Sequence, residues 1–159
     1  AGIDHIASGD DMLLMQKIAR CYPNQIFYLL SKNALVTTKA AISWKAFLHQ
    51  RIRWASKATH YQDPKTFLVL LLVYSFNLCL LLLGIAGWWN FWLWIALGGI
   101  LIAKTFAELL FIYPVAKFFE DTRQLPLFFL FQPFHIVYTL VAGWLGILGR
   151  YEWKGRKVK

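Results

Sequence analysis

The sequence predicts an α-helical membrane protein, and three observations carry that expectation. Of the 159 residues, 58% are hydrophobic and 16% charged, whereas soluble domains are about 45–50% apolar and about 25% charged. Residues 66–103 contain no Asp, Glu, Lys or Arg, and neither do residues 124–149. Both runs are longer than the roughly 20 residues that cross a bilayer. The charge that remains is basic, +9 in total with a pI near 9.7, which suits an anionic membrane surface or a phosphorylated substrate. This composition excludes a disordered chain, and two cysteines are too few for a disulfide scaffold.

The chain divides near Pro64 into a polar, basic part (1–65), an apolar part (66–149) and a basic tail (150–159). In the first part, Ser8-Gly9-Asp10-Asp11 opens a helix that runs through Ile18 and stops before Pro23. Ser8 with Asp11 has the spacing of a capping box. Residues 26–30 and 34–38 are β-prone and are expected as short strands. Residues 43–57 form a second, amphipathic helix. Trp44, Phe47, Leu48, Ile52 and Ala55 make its apolar stripe. Gln50, Arg53, Trp54 and Lys57 recur on another face, and Arg51 falls nearer the stripe. Basic residues around an aromatic stripe suit a helix lying in the membrane interface.

Three spans are expected, at about 67–87, 91–113 and 127–149. Trp88, Trp89, Trp92 and Trp94 gather at the first turn, as an interfacial aromatic belt does. The basic 1–65 region then lies in the cytoplasm, the Trp88-Trp89-Asn90 turn outside, and the loop at 117–123 in the cytoplasm again. Three full spans put the basic tail outside, against the positive-inside tendency. Either the tendency is broken, or one apolar run is re-entrant or interfacial. Gln132 and Pro133 mark one candidate run, Lys104 and Glu108 the other. Those last two are also spaced as an i,i+4 ion pair.

Two motifs carry chemistry. The acidic pair Asp10-Asp11 at a helix start suits the helix dipole, and a carboxylate there can act as a general base. In Gln50-Arg51-Ile52-Arg53-Trp54, arginine forks match diphosphate oxygens, and Trp54 offers an apolar platform for a sugar ring. His5, His49, His60 and His135 show no metal-ligand spacing. Basic residues do not alternate with aromatics as a nucleic-acid groove requires, so no nucleic-acid partner is expected.

An acidic pair, then Gln-Arg-Ile-Arg-Trp about forty residues on, then a span: this order resembles the membrane-bound family 2 glycosyltransferases, which include cellulose, chitin and hyaluronan synthases. The resemblance covers residues 1–65 and extends to the spans only as a general layout. It is supported weakly by the closing Trp153-Lys154-Gly155-Arg156. It implies the C-terminal remnant of a GT-A type α/β catalytic domain, followed by an interfacial helix and about three transmembrane helices. It also implies inverting transfer of a hexose from a nucleotide-sugar to a lipid or saccharide acceptor at the cytoplasmic face of the cell inner membrane. Asp11 would be the general base, supported by Asp10. Gln50 and Arg53 would supply polar contacts and Trp54 the acceptor platform, with Arg51 at a variable position between them.

The family also carries an upstream nucleotide-binding half with an Asp-x-Asp motif that holds Mg or Mn. No Asp-x-Asp occurs in these residues. The metal is therefore expected only in a full-length enzyme, with ligands outside this sequence, and the 159 residues alone are expected to be inactive. The alternative is a non-catalytic membrane scaffold or interaction subunit with a basic cytoplasmic cap. It accounts for the spans and the charge but not for the two motifs together.

Overall fold

A computed structural model describes residues 10–58, 61, 63–148, 151–153 and 156–158. The chain is mainly helical: α1 (Asp10–Cys21), α2 (Trp44–Ala55), α3 (Pro64–Ala86), α4 (Phe91–Phe118), α5 (Leu125–Leu130) and α6 (Gln132–Leu148). A two-stranded antiparallel sheet follows, β1 (Tyr151–Trp153) and β2 (Arg156–Val158), with Glu152 opposite Lys157. Residues 1–71 and 141–159 form one compact unit, and residues 72–140 a second.

In the first unit, α1 begins at Asp10 and ends two residues before Pro23, as expected. Asn24 follows with φ 67°, a left-handed conformation that Asn tolerates better than most residues. Ser8, half of the expected capping box, lies outside the described residues. The expected strands at 26–30 and 34–38 do not form. A short 3-10 turn at Lys32–Ala34 separates the two runs, and neither has strand pairing. A β-prone run becomes a strand only when a neighbouring strand accepts its backbone hydrogen bonds. The single strand pair among the described residues is β1 with β2. Phe27 and Tyr28 are left 86% and 89% exposed.

Ser43 starts α2 by accepting a hydrogen bond from the Ala46 amide at 3.2 Å, a cap worth about 1 kcal/mol. Ile52 is buried with Ala142 of α6, and Leu48 packs beside them. β1 also packs on α2. Trp44 is exposed and Lys57 is buried.

Asp63 organises the start of α3. Its carboxylate accepts from the Lys65 amide at 3.2 Å, the Thr66 amide at 3.1 Å and the Thr66 hydroxyl at 2.7 Å. Pro64 is the first helical residue, where its missing N–H costs nothing. The Thr66 hydroxyl, followed by the two backbone amides and the Lys65 charge, holds the Asp63 carboxyl below its ordinary value near 3.8.

Helices α3 and α4 are each long and apolar enough to cross a membrane. In the second unit, Leu80 of α3, Leu97 of α4 and Ile136 and Leu140 of α6 form the core, with Tyr74, Leu83 and Leu101 against it. Asn90 caps α4, accepting from the Trp92 amide at 3.1 Å. Gly87 gives the turn its room, since a β-carbon there would meet the Trp94 indole at 2.5 Å. Trp88, Trp89 and Trp92 around this turn are exposed. Helix α4 runs five residues past the expected end at 113, with Pro114 inside it. It stops where Glu120 takes φ 59°. There Glu120 N bonds Lys117 O at 3.2 Å and Asp121 N bonds Ala116 O at 3.0 Å, the pairing of a Schellman cap.

The expected third span, 127–149, is broken. Thr122–Leu130 and Gln132–Leu148 meet at a bend of 75°. Pro133, second residue of α6, has no N–H with which to continue the preceding helix.

Candidate functional site

Two sets of polar residues stand out, one in each unit. The first lies on α2. Arg51 places its guanidinium 4.8 Å from the Phe47 ring centroid and 4.6 Å from the Trp54 ring. Phe47 in turn meets Trp44 edge-on at 6.1 Å. This row follows from helical spacing, because residues three and four apart are neighbours. Trp54 remains 45% exposed, so one face of the indole is held by a cation while much of the ring stays accessible. Gln50 and Arg53 are half-buried on the same helix. The Arg53 carbonyl accepts from the Ser56 hydroxyl at 2.9 Å, which closes the helix end.

Sequence spacing sets Arg51 nearer the apolar stripe, and its guanidinium lies between Phe47 of that stripe and Trp54, one on each side in sequence. The signal was present in Phe47-x-x-x-Arg51-x-x-Trp54, whose i−4 and i+3 aromatics both reach a central guanidinium. Asp10 and Asp11 are the first two residues of α1, the position expected of them.

The second set lies in the apolar unit. Lys104 Nζ donates to Glu108 Oε1 at 2.6 Å and to Gln132 Oε1 at 2.7 Å. Gln132 Nε2 donates to Glu108 Oε2 at 2.5 Å. The three side chains close a ring in which each touches the other two. Lys104 and Glu108 side chains are 6% and 32% exposed, and Gln132 is 2% exposed. The i,i+4 ion pair is present as its spacing suggested. Its third member, 24 residues beyond Glu108, was visible in sequence only as a polar interruption of the third apolar run. Elsewhere in the same unit, Thr105 donates to the Leu101 carbonyl at 2.7 Å and Asn77 to the Val73 carbonyl at 2.8 Å. Such bonds to the preceding turn satisfy these donors in an apolar setting.

An open groove of about 410 Å³ lies between the end of α4 and α5, lined by Ile112, Val115, Leu127 and Phe128. Asp121 and Gln124 are joined at 2.6 Å on its wall. Among the described residues, no group of three or more His, Cys, Asp and Glu side chains could hold a metal ion. His5 and His60 lie outside the described residues, as does the Lys154-Gly155 part of the Trp153-Lys154-Gly155-Arg156 motif.

No family model, curated protein or solved structure matches this chain.

Proposed function

We propose that these residues are the acceptor-side and membrane portion of an inverting glycosyltransferase that moves a hexose from a nucleotide-sugar to a lipid or saccharide acceptor. The observation that supports it best is the α2 surface. Gln50, Arg53 and a half-exposed Trp54 occur on one amphipathic helix, with Arg51 fixing the indole from one side. Eight residues separate that helix from the first span. The acidic pair that opens α1 completes the set.

In this reading, Asp11 accepts the proton of the acceptor hydroxyl while its oxygen bonds to the anomeric carbon and the nucleoside diphosphate leaves. Asp10 supports Asp11. Gln50 and Arg53 donate to polar groups of donor and acceptor, and Trp54 carries the acceptor ring on its apolar face. A divalent metal would balance the diphosphate charge in the full-length enzyme. The described residues offer no cluster to hold it. The exposed apolar segment around Phe27, Tyr28 and Val36 provides a surface against which the rest of a GT-A type domain would pack. Enzyme and acceptor would meet on the cytoplasmic face of the membrane.

The test is Asp11→Asn in the full-length enzyme. Donor binding is expected to persist while transfer falls by about 10²–10⁴, the usual contribution of a general base. Normal turnover would remove Asp11 from that role. A non-catalytic scaffold is the second reading. It is favoured by the way Arg51 and Phe47 use the same helix as an aromatic anchor, and it expects no dependence of any transfer on Asp11.

A further inference from the structure

The end of α6 rests on α2. Ala142 shares a buried cluster with Ile52. One helical turn later, a β-carbon on Gly146 would stand 2.8 Å from the Ser56 backbone nitrogen and 2.9 Å from the Ala55 carbonyl carbon. The backbone at the end of α2 therefore lies directly against α6. After α6, β1 packs on α2 as well. Three successive points, Ala142, Gly146 and β1, thus meet the same helix.

Elements in backbone contact lie at the same depth, because a hydrocarbon core about 30 Å thick cannot separate them. Helix α2 precedes the first span, so between Ser56 and Ala142 the chain must cross the membrane an even number of times. Helices α3 and α4 supply two crossings. The remaining segment must supply none.

From this parity we infer that Thr122–Leu148 is a re-entrant pair that dips into the apolar layer and returns to the side it left, so that β1 and β2 lie on the same side as α1 and α2. The local structure agrees. The two arms meet at 75°, and α5, with six residues, is about 9 Å long, too short to span. A break in a helix at membrane depth is tolerated where protein covers it. Here the first residue of α6, Gln132, is buried and bonded to both Lys104 and Glu108.

The distribution of charge agrees as well. With this topology every lysine and arginine among the described residues except Lys104 lies on one side. The opposite turn is Gly87-Trp88-Trp89-Asn90, which has no charge. The conflict between three spans and the positive-inside tendency disappears. The inference does not depend on the glycosyltransferase reading.

The experiment is cysteine labelling of the full chain in sealed membrane vesicles of known orientation, using a membrane-impermeant maleimide. The background is Cys21→Ser with Cys79→Ser, and the single probes are Ser31→Cys, Trp89→Cys and Val158→Cys. Positions 31 and 158 are expected to label from the same side and position 89 from the other. A reporter protein fused after the last residue gives an independent reading and is expected on the side of position 31. Labelling of 158 together with 89 overturns the inference, because the bent pair then crosses. Labelling of all three from one side overturns it too, because α3 and α4 then do not cross. A 158 probe that reacts from both sides also contradicts a single re-entrant arrangement.

Discussion

Lys104 Nζ donates to Gln132 Oε1 at 2.7 Å, joining residues 28 apart in sequence and tying the middle of α4 to the first residue of α6. Glu108 bonds to both partners. A charge held in an apolar layer is costly unless it is paired, and here the pairing coincides with the 75° bend. The ring therefore does two things at once. It satisfies an ion pair, and it holds the break between α5 and α6 in place.

Removing one member should cost more than removing all three. Glu108→Leu leaves Lys104 buried without its carboxylate and is expected to destabilise by about 3–5 kcal/mol. Gln132→Leu removes two neutral-to-charged hydrogen bonds and is expected to cost about 1–3 kcal/mol. The triple variant Lys104→Met, Glu108→Leu, Gln132→Leu is expected to lose less than Glu108→Leu alone. Unfolding in detergent, followed by circular dichroism, measures all three. A triple variant as weak as the sum of the single losses would show that the residues act independently.

The glycines of the last and fourth helices separate packing from propensity. At Gly146 an added methyl group meets the α2 backbone at 2.8 Å, and backbone cannot move aside cheaply. Gly146→Ala is expected to cost about 1–3 kcal/mol by overpacking and to raise proteolysis at the end of α2. Gly98 and Gly99 have nothing within 4 Å of an added β-carbon. Gly98→Ala is therefore expected to be neutral or to stabilise by up to about 1 kcal/mol through helix propensity. Equal effects at 98 and 146 would argue against the α2–α6 contact.

The start of α3 should respond to acid. Folding lowers the Asp63 carboxyl, chiefly through the Thr66 hydroxyl. The cap's contribution is then complete above the unfolded value of about 3.9 and is lost as pH falls through the lower folded value. Hydrogen exchange at the Lys65 and Thr66 amides, which Asp63 accepts, is expected to show protection at neutral pH that disappears only below about pH 4. Asp63→Ala should show no such step, and persistence of the step in that variant would assign it to another group.

Much of this architecture was legible because its causes are local. The Asp10 start and Pro23 stop of α1, the start of α2 at Ser43, and the apolar lengths of α3 and α4 depend on residues a few positions apart. What was not legible depends on partners far along the chain. Residues 26–30 have the composition of a strand, but the described chain gives them no strand to pair with. The spacing of Lys57 on α2 says only which face it shares with Gln50, Arg53 and Trp54, and packing in its unit buries it. Gln132 looked like a flaw in a span until Lys104 and Glu108 were brought to it. β1 and β2 were missed although only Lys154-Gly155 separates two runs that contain Trp, Tyr and Val, a spacing that suits a hairpin. At the candidate site, the Gln50–Trp54 motif was legible and the stacking of Arg51 on Trp54 was not, because rotamers decide it.

That stacking gives the last prediction, which rests on the proposed glycosyl transfer and uses the full-length enzyme. If the indole of Trp54 carries the acceptor, Trp54→Ala should raise the acceptor KM about tenfold, equivalent to about 1.4 kcal/mol, and leave the donor KM nearly unchanged. Trp54→Phe should recover part of the loss, since a smaller aromatic face remains. Arg51 acts on the acceptor only through the ring it rests against, 4.6 Å away. Arg51→Gln should therefore move the acceptor KM in the same direction by a smaller factor, about two- to fivefold, in line with a cation–π contact of about 0.5–1 kcal/mol. In the double variant Trp54→Ala, Arg51→Gln, the second change should add little, because the ring that Arg51 positions is already gone. Fully additive effects would place Arg51 in contact with substrate in its own right. A rise in donor KM alone would move Trp54 from the acceptor to the nucleotide side of the site.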